Sequence, residues 1–209
     1  MKILRTWVLG VLAGISIALG GTIFLSLENR VLGAMMFTVG LFSVCTCGFS
    51  LYTGKVCYVL DRDREYALML PVIWLGNLCG SWLTAWLESL TRVGPSLAER
   101  AAGLCAVKLG DTPLSIFVLA FFCNVLIYLA VDGYARIPND VGKMLALFFG
   151  VMVFILCGFE HCVANMYYFS MAGAWSGKTV LYLLIMTAGN SLGGIAVPLL
   201  RKIAAEQKA

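Results

Sequence analysis

Charged residues are scarce in this sequence. Only 12% of its 209 residues are Asp, Glu, Lys or Arg, whereas 61% are hydrophobic. A soluble domain usually carries about 25% charged residues, because its surface must face water. The mean hydropathy of +0.91 lies far above the range of soluble domains. This composition excludes an ordinary soluble enzyme or binding module and indicates an integral membrane protein.

Histidine is rarer still, and the sequence offers no set of metal ligands. The chain has one histidine, His161, and nearly all of its eight cysteines lie within apolar runs. Cys45 and Cys47 form a C-x-C pair, but no second pair or nearby histidine completes a site. We therefore expect neither a metal nor a cofactor. The net charge of +4 is spread over loops and ends, so it does not point to a nucleic-acid partner.

Long uncharged runs predict six membrane spans. The first run, 7–27, has 21 residues without a charge and is long enough to cross a bilayer, so we interpret it as a span rather than a cleaved signal peptide. The later spans are predicted over the apolar segments 31–60, 66–90, 113–131, 144–175 and 179–200. An amphipathic piece over 97–109 is predicted to be a short interfacial helix. We expect one all-α transmembrane domain over 1–209.

The second and fifth spans are interrupted by glycine and polar residues, at 48–55 and 158–165. A broken helix is tolerated in a bilayer only where its freed backbone groups face protein or a water-filled cavity. The fifth interruption also places Glu160 and His161 at mid-span, where ionisable groups are costly and by default mark transport paths or proton relays. We predict that this helix breaks at Gly158.

Two sequence signatures recur in the same order along the chain. C-G-F occurs at 47–49 and again at 157–159, both times where the apolar character breaks. G-N-x-x-G occurs at 76–80 and again at 189–193, at nearly the same distance downstream. This recurrence predicts an internal repeat, with a transport site between the two broken helices.

Each predicted repeat holds three spans, repeat one over about 7–90 and repeat two over about 97–200. An odd number of spans forces the second repeat to enter the membrane from the opposite side, giving an inverted 3+3, aquaporin-like protomer. With the amino terminus inside, the inner segments hold nine Lys or Arg residues and the outer segments five. This excess predicts that both termini are cytoplasmic.

Residues 158–166 read G-F-E-H-C-V-A-N-M, which resembles the G-F-E-H-S-I-A-N-M signature of formate/nitrite transporters. L-Y-T at 51–53 is similar to the family's L-F-T, C-N at 123–124 to its C-N, and T-A-G-N at 187–190 to its T-x-G-N. The resemblance covers nearly the whole chain. It implies a homopentamer in the cytoplasmic membrane with one pore per subunit. Each pore would carry small monovalent anions, such as formate, nitrite, hydrosulfide, acetate or lactate, together with protons.

The resemblance also implies roles for particular residues. The pore and proton relay would comprise His161 with Glu160, Asn190 and Thr53. The apolar residues that narrow the pore on either side of the histidine would be Phe37, Leu41, Leu51 and Phe154. Lys108, 16 residues before Asn124, matches the cation that attracts anions into the vestibule. Asn124 and Asn165 are the supporting polar residues.

The chain departs from the family pattern in two places. About six residues precede the first span, so we expect the amino-terminal helix held to gate some formate channels to be missing. Cys162 stands where the signature has serine, directly after the histidine. Together with Cys47 near the other break, this thiol predicts a pore lining that is more polarisable and forms weaker hydrogen bonds than serine would. Such a lining slightly favours a polarisable, weakly hydrated ion such as hydrosulfide.

An anion that crosses an apolar constriction pays several kcal/mol or more in lost hydration, which rings of Phe and Leu cannot offset. We therefore hypothesise that Lys108 attracts the anion and that the anion gains a proton near His161 before it passes as the acid. The proton can come from His161 or from water. The alternative within this class is passage of the bare anion beside a transiently cationic His161.

An alternative from another class is a membrane enzyme that uses His161 and Glu160 as base and acid and Cys162 as nucleophile. No second histidine, cofactor motif or extramembrane domain in the sequence supports it. Glu160 also has a structural alternative, in which its carboxylate accepts the backbone N–H groups freed by the break. A purely structural membrane protein would leave the paired breaks without a role.

Overall fold

The computed structural model describes residues 1–206, apart from the side chain of Glu206, and this part of the chain is helical almost throughout. Its helices are α1 (Lys2–Ser26), α2 (Arg30–Thr46), α3 (Tyr52–Val56), α4 (Arg64–Ser89), α5 (Gly94–Gly110), α6 (Pro113–Arg136), α7 (Asp140–Leu156), α8 (Cys162–Met171) and α9 (Gly177–Glu206). Four of them, α1, α4, α6 and α9, are long and apolar enough to cross a membrane. The predicted all-α membrane fold is confirmed.

The predicted interruptions lie between α2 and α3 and between α7 and α8. α2 ends at Thr46 and α7 ends at Leu156, and each end is followed by a glycine with a φ of 70°, Gly48 in the first case and Gly158 in the second. This left-handed conformation is easily adopted only by glycine and ends a helix in the Schellman motif. The predicted break at Gly158 is confirmed. Whether each broken pair completes a crossing stays a prediction.

Asn77 on α4 binds the backbone of the interrupted segment in the first half of the chain. Its Oδ1 accepts the backbone N–H of Tyr52 at 2.8 Å, the first residue of α3. Its Nδ2 donates to the carbonyl oxygens of Gly10 on α1 and Ser50 in the break, at 2.8 and 2.9 Å. One buried amide therefore pairs two backbone groups of the break and ties them to α1.

Asn190 on α9 makes the same three bonds in the second half. Its Oδ1 accepts the N–H of Cys162 at 2.8 Å, and its Nδ2 donates to the carbonyl oxygens of Ala120 and Glu160 at 2.7 and 2.8 Å. These three partners lie 110 positions after their counterparts in the first half. The recurring G-N-x-x-G signature thus has the same structural task in each half.

The two halves also run in opposite directions. Arg62 lines one cavity with Lys2, at the start of α1, and another with Arg136, at the end of α6. The start of α1 and the end of α6 therefore share one side of the molecule, which we call the amino-terminal face. α1 has 25 residues, so its far end lies about 37 Å away. Arg30, which follows it, lines a cavity with Lys108 at this opposite face. These directions support the inverted repeat, whose limits stay a prediction.

The connection between the two halves contains a helix that packs against the protein. The predicted interfacial helix over 97–109 is part of α5, which buries Leu97, Ala101 and Cys105 and packs against α8. These residues are spaced four apart and so share one face of the helix. That apolar face is covered by the protein rather than left for lipid, and the interfacial position of the helix stays a prediction.

We expect Gly193→Ala to destabilise the protein. A Cβ at Gly193 on α9 would overlap the carbonyl oxygen of Phe121, so α9 could not approach α6 as closely. Overpacking of this kind costs about 1–3 kcal/mol or more. The measurement is the thermal unfolding temperature of the purified protein. The control is Gly103→Ala within α5, where a Cβ meets nothing within 4 Å and alanine should gain about 0.5–1 kcal/mol. Equal unfolding temperatures for the two variants would contradict this prediction.

Candidate functional site

A cavity enters the protein from each face. The cavity at the amino-terminal face has a volume of about 430 Å³ and the one at the opposite face about 400 Å³. We call them the amino-terminal vestibule and the opposite vestibule. Among the described residues, none lines both. The protein between them therefore separates two solvent-accessible spaces, as the constricted part of a pore would.

The four predicted constriction residues lie at the inner ends of these vestibules. Leu41 and Leu51 line the amino-terminal vestibule, and Phe37 and Phe154 line the opposite one. All four are at most 3% exposed. The rings of Phe37 and Phe154 meet edge to face with centroids 6.2 Å apart. The structure thus brings together two apolar pairs from α2, α7 and the first break, and their role in narrowing a pore stays a prediction.

His161 lines the opposite vestibule together with Phe37 and Phe154, and it caps the start of α8. Its Nδ1 accepts the backbone N–H of Ala164 at 3.0 Å, its Nε2 lies 2.9 Å from Thr53 Oγ1, and its ring stacks on Phe154. Because Nδ1 is an acceptor, the proton of the neutral ring is assigned to Nε2, which donates to Thr53. An imidazolium would have no lone pair left for Ala164. The surroundings of His161 therefore fit the neutral ring.

Glu160 is held by side chains rather than by the freed backbone. Its Oε2 accepts from Lys108 Nζ at 2.6 Å and from Asn165 Nδ2 at 2.7 Å. The side chains of Glu160 and Lys108 are 4% and 14% exposed, so this is a largely buried ion pair. The hypothesis that the Glu160 carboxylate accepts backbone N–H groups is wrong, because the amide of Asn190 already binds the broken segment.

The supporting asparagines act on backbone groups of the two short helices. Asn124 Nδ2 donates to the carbonyl oxygen of Thr53 at 3.0 Å, and Asn165 Nδ2 donates to that of His161 at 3.1 Å. Both asparagines are at most 1% exposed. They hold Thr53 and His161 opposite each other across the contact between the two halves. Lys108, Glu160, His161 and Asn165 line the opposite vestibule, whereas Thr53, Asn124 and Asn190 line neither of the two. The part of each residue in transport stays a prediction.

Several charged residues of the vestibules were missed in the sequence. Lys55, Arg62 and Arg136 line the amino-terminal vestibule. Lys55 could have been found, because it lies two residues after Thr53 in the broken segment. Arg30 lines the opposite vestibule and donates to the carbonyl oxygen of Leu156 at 3.1 Å, where α7 ends. Because 126 residues separate them, no sequence signal predicts this contact.

The thiols predicted to make the pore lining more polarisable do not line either vestibule. Cys162 is completely buried, and neither Cys162 nor Cys47 is among the residues that line the two vestibules. Cys162 is the first residue of α8, and its N–H is bound by Asn190. The expected preference for hydrosulfide therefore loses its structural basis.

Comparison with known proteins gives one consistent result. The model of the formate/nitrite transporter family matches residues 1–202. The nitrite transporter NirC of Salmonella typhimurium is 32% identical, over 90% of this chain and 78% of its own length. A probable formate transporter of Methanothermobacter thermautotrophicus is 30% identical, over 90% of this chain and 83% of its own.

Solved structures show the same fold. A pentameric formate channel with formate bound superposes with a TM-score of 0.85 over all of this chain and 98% of its own, at 24% identity. An ion channel of the same family superposes with a TM-score of 0.79 over 97% of this chain and 89% of its own, at 28% identity. Relatives and structures alike are transporters or channels, which contradicts the alternative of a membrane enzyme. With its family model matched from residue 1 to residue 202, this multi-pass membrane protein belongs to the formate/nitrite transporter family.

Proposed function

We propose that this chain is a channel for small monovalent weak-acid anions, with formate and nitrite foremost because relatives are named for them. Acetate, lactate and hydrosulfide have the same charge and similar acid–base chemistry. The observation that carries the proposal is a histidine bonded as a neutral ring beside the apolar pair Phe37 and Phe154, with a net positive charge in both vestibules. The pentameric channel of the same fold supports a homopentamer with one path per subunit.

The two vestibules would concentrate anions before they reach the apolar region. Lys55, Arg62, Arg136 and Asp132 line the vestibule at the amino-terminal face, which gives it a formal net charge of +2. Arg30, Lys108 and Glu160 line the other, which has a net charge of +1. A net positive charge in a cleft raises the local concentration of anions. Lys108 does so less than a free lysine would, because Glu160 neutralises part of its charge.

Protonation would then allow passage. A neutral acid loses far less hydration energy than its anion at an apolar constriction. A proton taken from water converts the anion to the acid in one vestibule, and the acid returns that proton to water in the other, so one anion and one proton cross together. His161 does not need to be charged. In the Nε2–H tautomer it donates to Thr53, which leaves the Thr53 hydroxyl proton free to donate to the passing acid.

The orientation follows from the distribution of charge. The excess of Lys and Arg predicted for the inner segments falls on the amino-terminal face, as Lys2, Arg62, Arg136, Arg201 and Lys202 illustrate. We propose that this face is cytoplasmic and that the protein lies in the cytoplasmic membrane.

We expect His161→Asn to retain formate flux coupled to acidification of proteoliposomes, within about tenfold of the wild type. Asparagine can accept the Ala164 N–H as a helix cap but cannot become a cation. The measurement is internal pH together with voltage dependence. Electroneutral flux in both proteins supports passage as the acid. Voltage-driven flux in the wild type that disappears in His161→Asn would favour the bare anion. His161→Phe, which lacks the acceptor, serves as a comparison and should lower the unfolding temperature.

We expect Lys108→Met to lower the unfolding temperature strongly, because it leaves the buried Glu160 carboxylate unpaired at a cost of about 3–5 kcal/mol. The double variant Lys108→Met with Glu160→Gln should recover most of this stability. It should still take up formate more slowly than the wild type at low concentration, with a smaller difference at saturation. High salt should reduce the difference by screening. Wild-type uptake by the double variant at every concentration would exclude Lys108 as an attractor.

We expect Lys55→Met to slow flux that starts from the amino-terminal face at low formate concentration. Its Nζ forms no ion pair or hydrogen bond with the described residues, so the unfolding temperature should change little. Intact cells and inverted membrane vesicles separate the two directions. Lys55→Arg is the matched control and should transport like the wild type. An equal loss in both directions, or in Lys55→Arg, would contradict a role of this charge in attraction.

A further inference from the structure

A third cavity opens at the amino-terminal face between the ends of α6 and α9. Its volume is about 560 Å³, and we call it the lateral cavity. The four cations that line it are Arg62, Arg136, Arg201 and Lys202. The hydroxyls of Tyr58 and Tyr128 and the carboxylate of Asp61 also line it. It is thus lined by more cations than either vestibule.

The cavity lies where the membrane-spanning part of both helices ends. The runs 113–131 on α6 and 179–200 on α9 carry no charged residue, and the cavity residues Arg136 and Arg201 follow them. This level corresponds to the lipid headgroups, where tyrosine is also enriched. The residues next in sequence to Tyr128 and Arg201 are exposed leucines, with Leu129 51% and Leu200 64% exposed. A molecule in the cavity could therefore contact both polar and apolar surface.

Buried Asp132 holds two of the cations in place. Its carboxylate accepts from Arg136 Nε at 2.7 Å and from an Arg201 terminal nitrogen at 2.8 Å. The same Arg201 nitrogen donates to Tyr128 Oη at 2.9 Å, which leaves the Tyr128 hydroxyl proton free to donate. Lys202 pairs with Asp61. With both carboxylates counted, four cations leave a net charge of +2, and the two guanidinium groups still have unused donors.

We propose that the lateral cavity binds the phosphate group of an anionic membrane phospholipid. Pre-oriented guanidinium groups match the oxygens of a phosphate, and the net charge of +2 favours an anion over a zwitterion. The acyl chains would lie along the exposed leucines at the ends of α6 and α9. A soluble phosphate ester would gain the charge contacts without this apolar contact.

Such a lipid would also affect transport, and this step rests on the proposed function. Arg62, Arg136 and Tyr58 line both the lateral cavity and the amino-terminal vestibule. A phosphate beside them would offset part of the positive charge that attracts the permeant anion. Anionic lipid should therefore slow flux that starts from this face at low anion concentration.

The binding test is native mass spectrometry of the purified protein with phosphatidylglycerol, phosphatidylcholine or glycerol 1-phosphate. We expect phosphatidylglycerol to be retained preferentially and not to be displaced by glycerol 1-phosphate at equal concentration. Lys202→Ala and Arg62→Ala should each weaken retention about fivefold, since one cation near an anionic lipid surface is worth about 1 kcal/mol. Arg64→Ala is the control, because Arg64 is exposed on the same face but does not line the cavity. Equal retention of both lipids, displacement by the soluble phosphate or unchanged retention in Lys202→Ala and Arg62→Ala would overturn the proposal.

The transport test compares the wild type with Lys202→Ala in proteoliposomes of increasing phosphatidylglycerol content. Lys202 lines the lateral cavity but not the vestibule, so the variant leaves the vestibule cations in place. Inhibition should need about fivefold more phosphatidylglycerol in Lys202→Ala. The bulk surface potential is the same for both proteins and cancels in the comparison. Identical inhibition of both proteins would overturn the coupling to transport. Lipid retention without anion flux in any membrane would contradict the proposed function and leave the lipid site standing.

Discussion

Each interrupted span exposes backbone N–H and C=O groups that no lipid can satisfy, and the rest of the structure depends on how they are paired. Asn77 on α4 and Asn190 on α9 each make two hydrogen bonds to a broken segment and a third to a carbonyl oxygen of α1 or α6. These helices must therefore lie close to α1 and α6. At Gly80 and Gly193 any side chain would overlap a carbonyl oxygen of the neighbouring helix. The G-N-x-x-G signature thus supplies both the glycine that lets two helices pack closely and the asparagine that binds the broken segment.

Features signalled by residues close together in the sequence could be predicted, whereas contacts between residues far apart in the sequence could not. The break at Gly158 and the mid-span His161 were predicted because glycine and polar residues within an apolar run are local signals. The pairing of Lys108 with Glu160 was missed, since it joins residues 52 positions apart and depends on where α5 packs. The packing of α5 against α8 was not predicted, because amphipathicity shows that one face is apolar but not whether lipid or protein covers it. The direction of the Cys162 thiol was likewise fixed only by packing.

The hydrogen bonds of His161 limit how it can act. As the cap of α8 it uses Nδ1 to hold a backbone N–H, so a second ring proton would cost this bond as well as the burial of a charge. Thr53 is supported from the other half by Asn124 and faces Nε2. The hydrogen bonds of His161 therefore fit the neutral ring, which is the form that the proposed passage of the acid uses.

The two repeats differ in the side chains that they place at the candidate site. By the offset of 110 positions that relates the two halves, His161 corresponds to Leu51, Glu160 to Ser50 and Asn165 to Lys55. The first half therefore places a lysine directly on its broken helix, beside the amino-terminal vestibule. The second half instead uses Asn165 to hold Glu160, which in turn binds a lysine brought by α5. Because one backbone scaffold supports both arrangements, a positive vestibule can arise at each face while only one half contributes the histidine. At the matched positions, the second half therefore presents the imidazole of His161 where the first half presents the apolar side chain of Leu51.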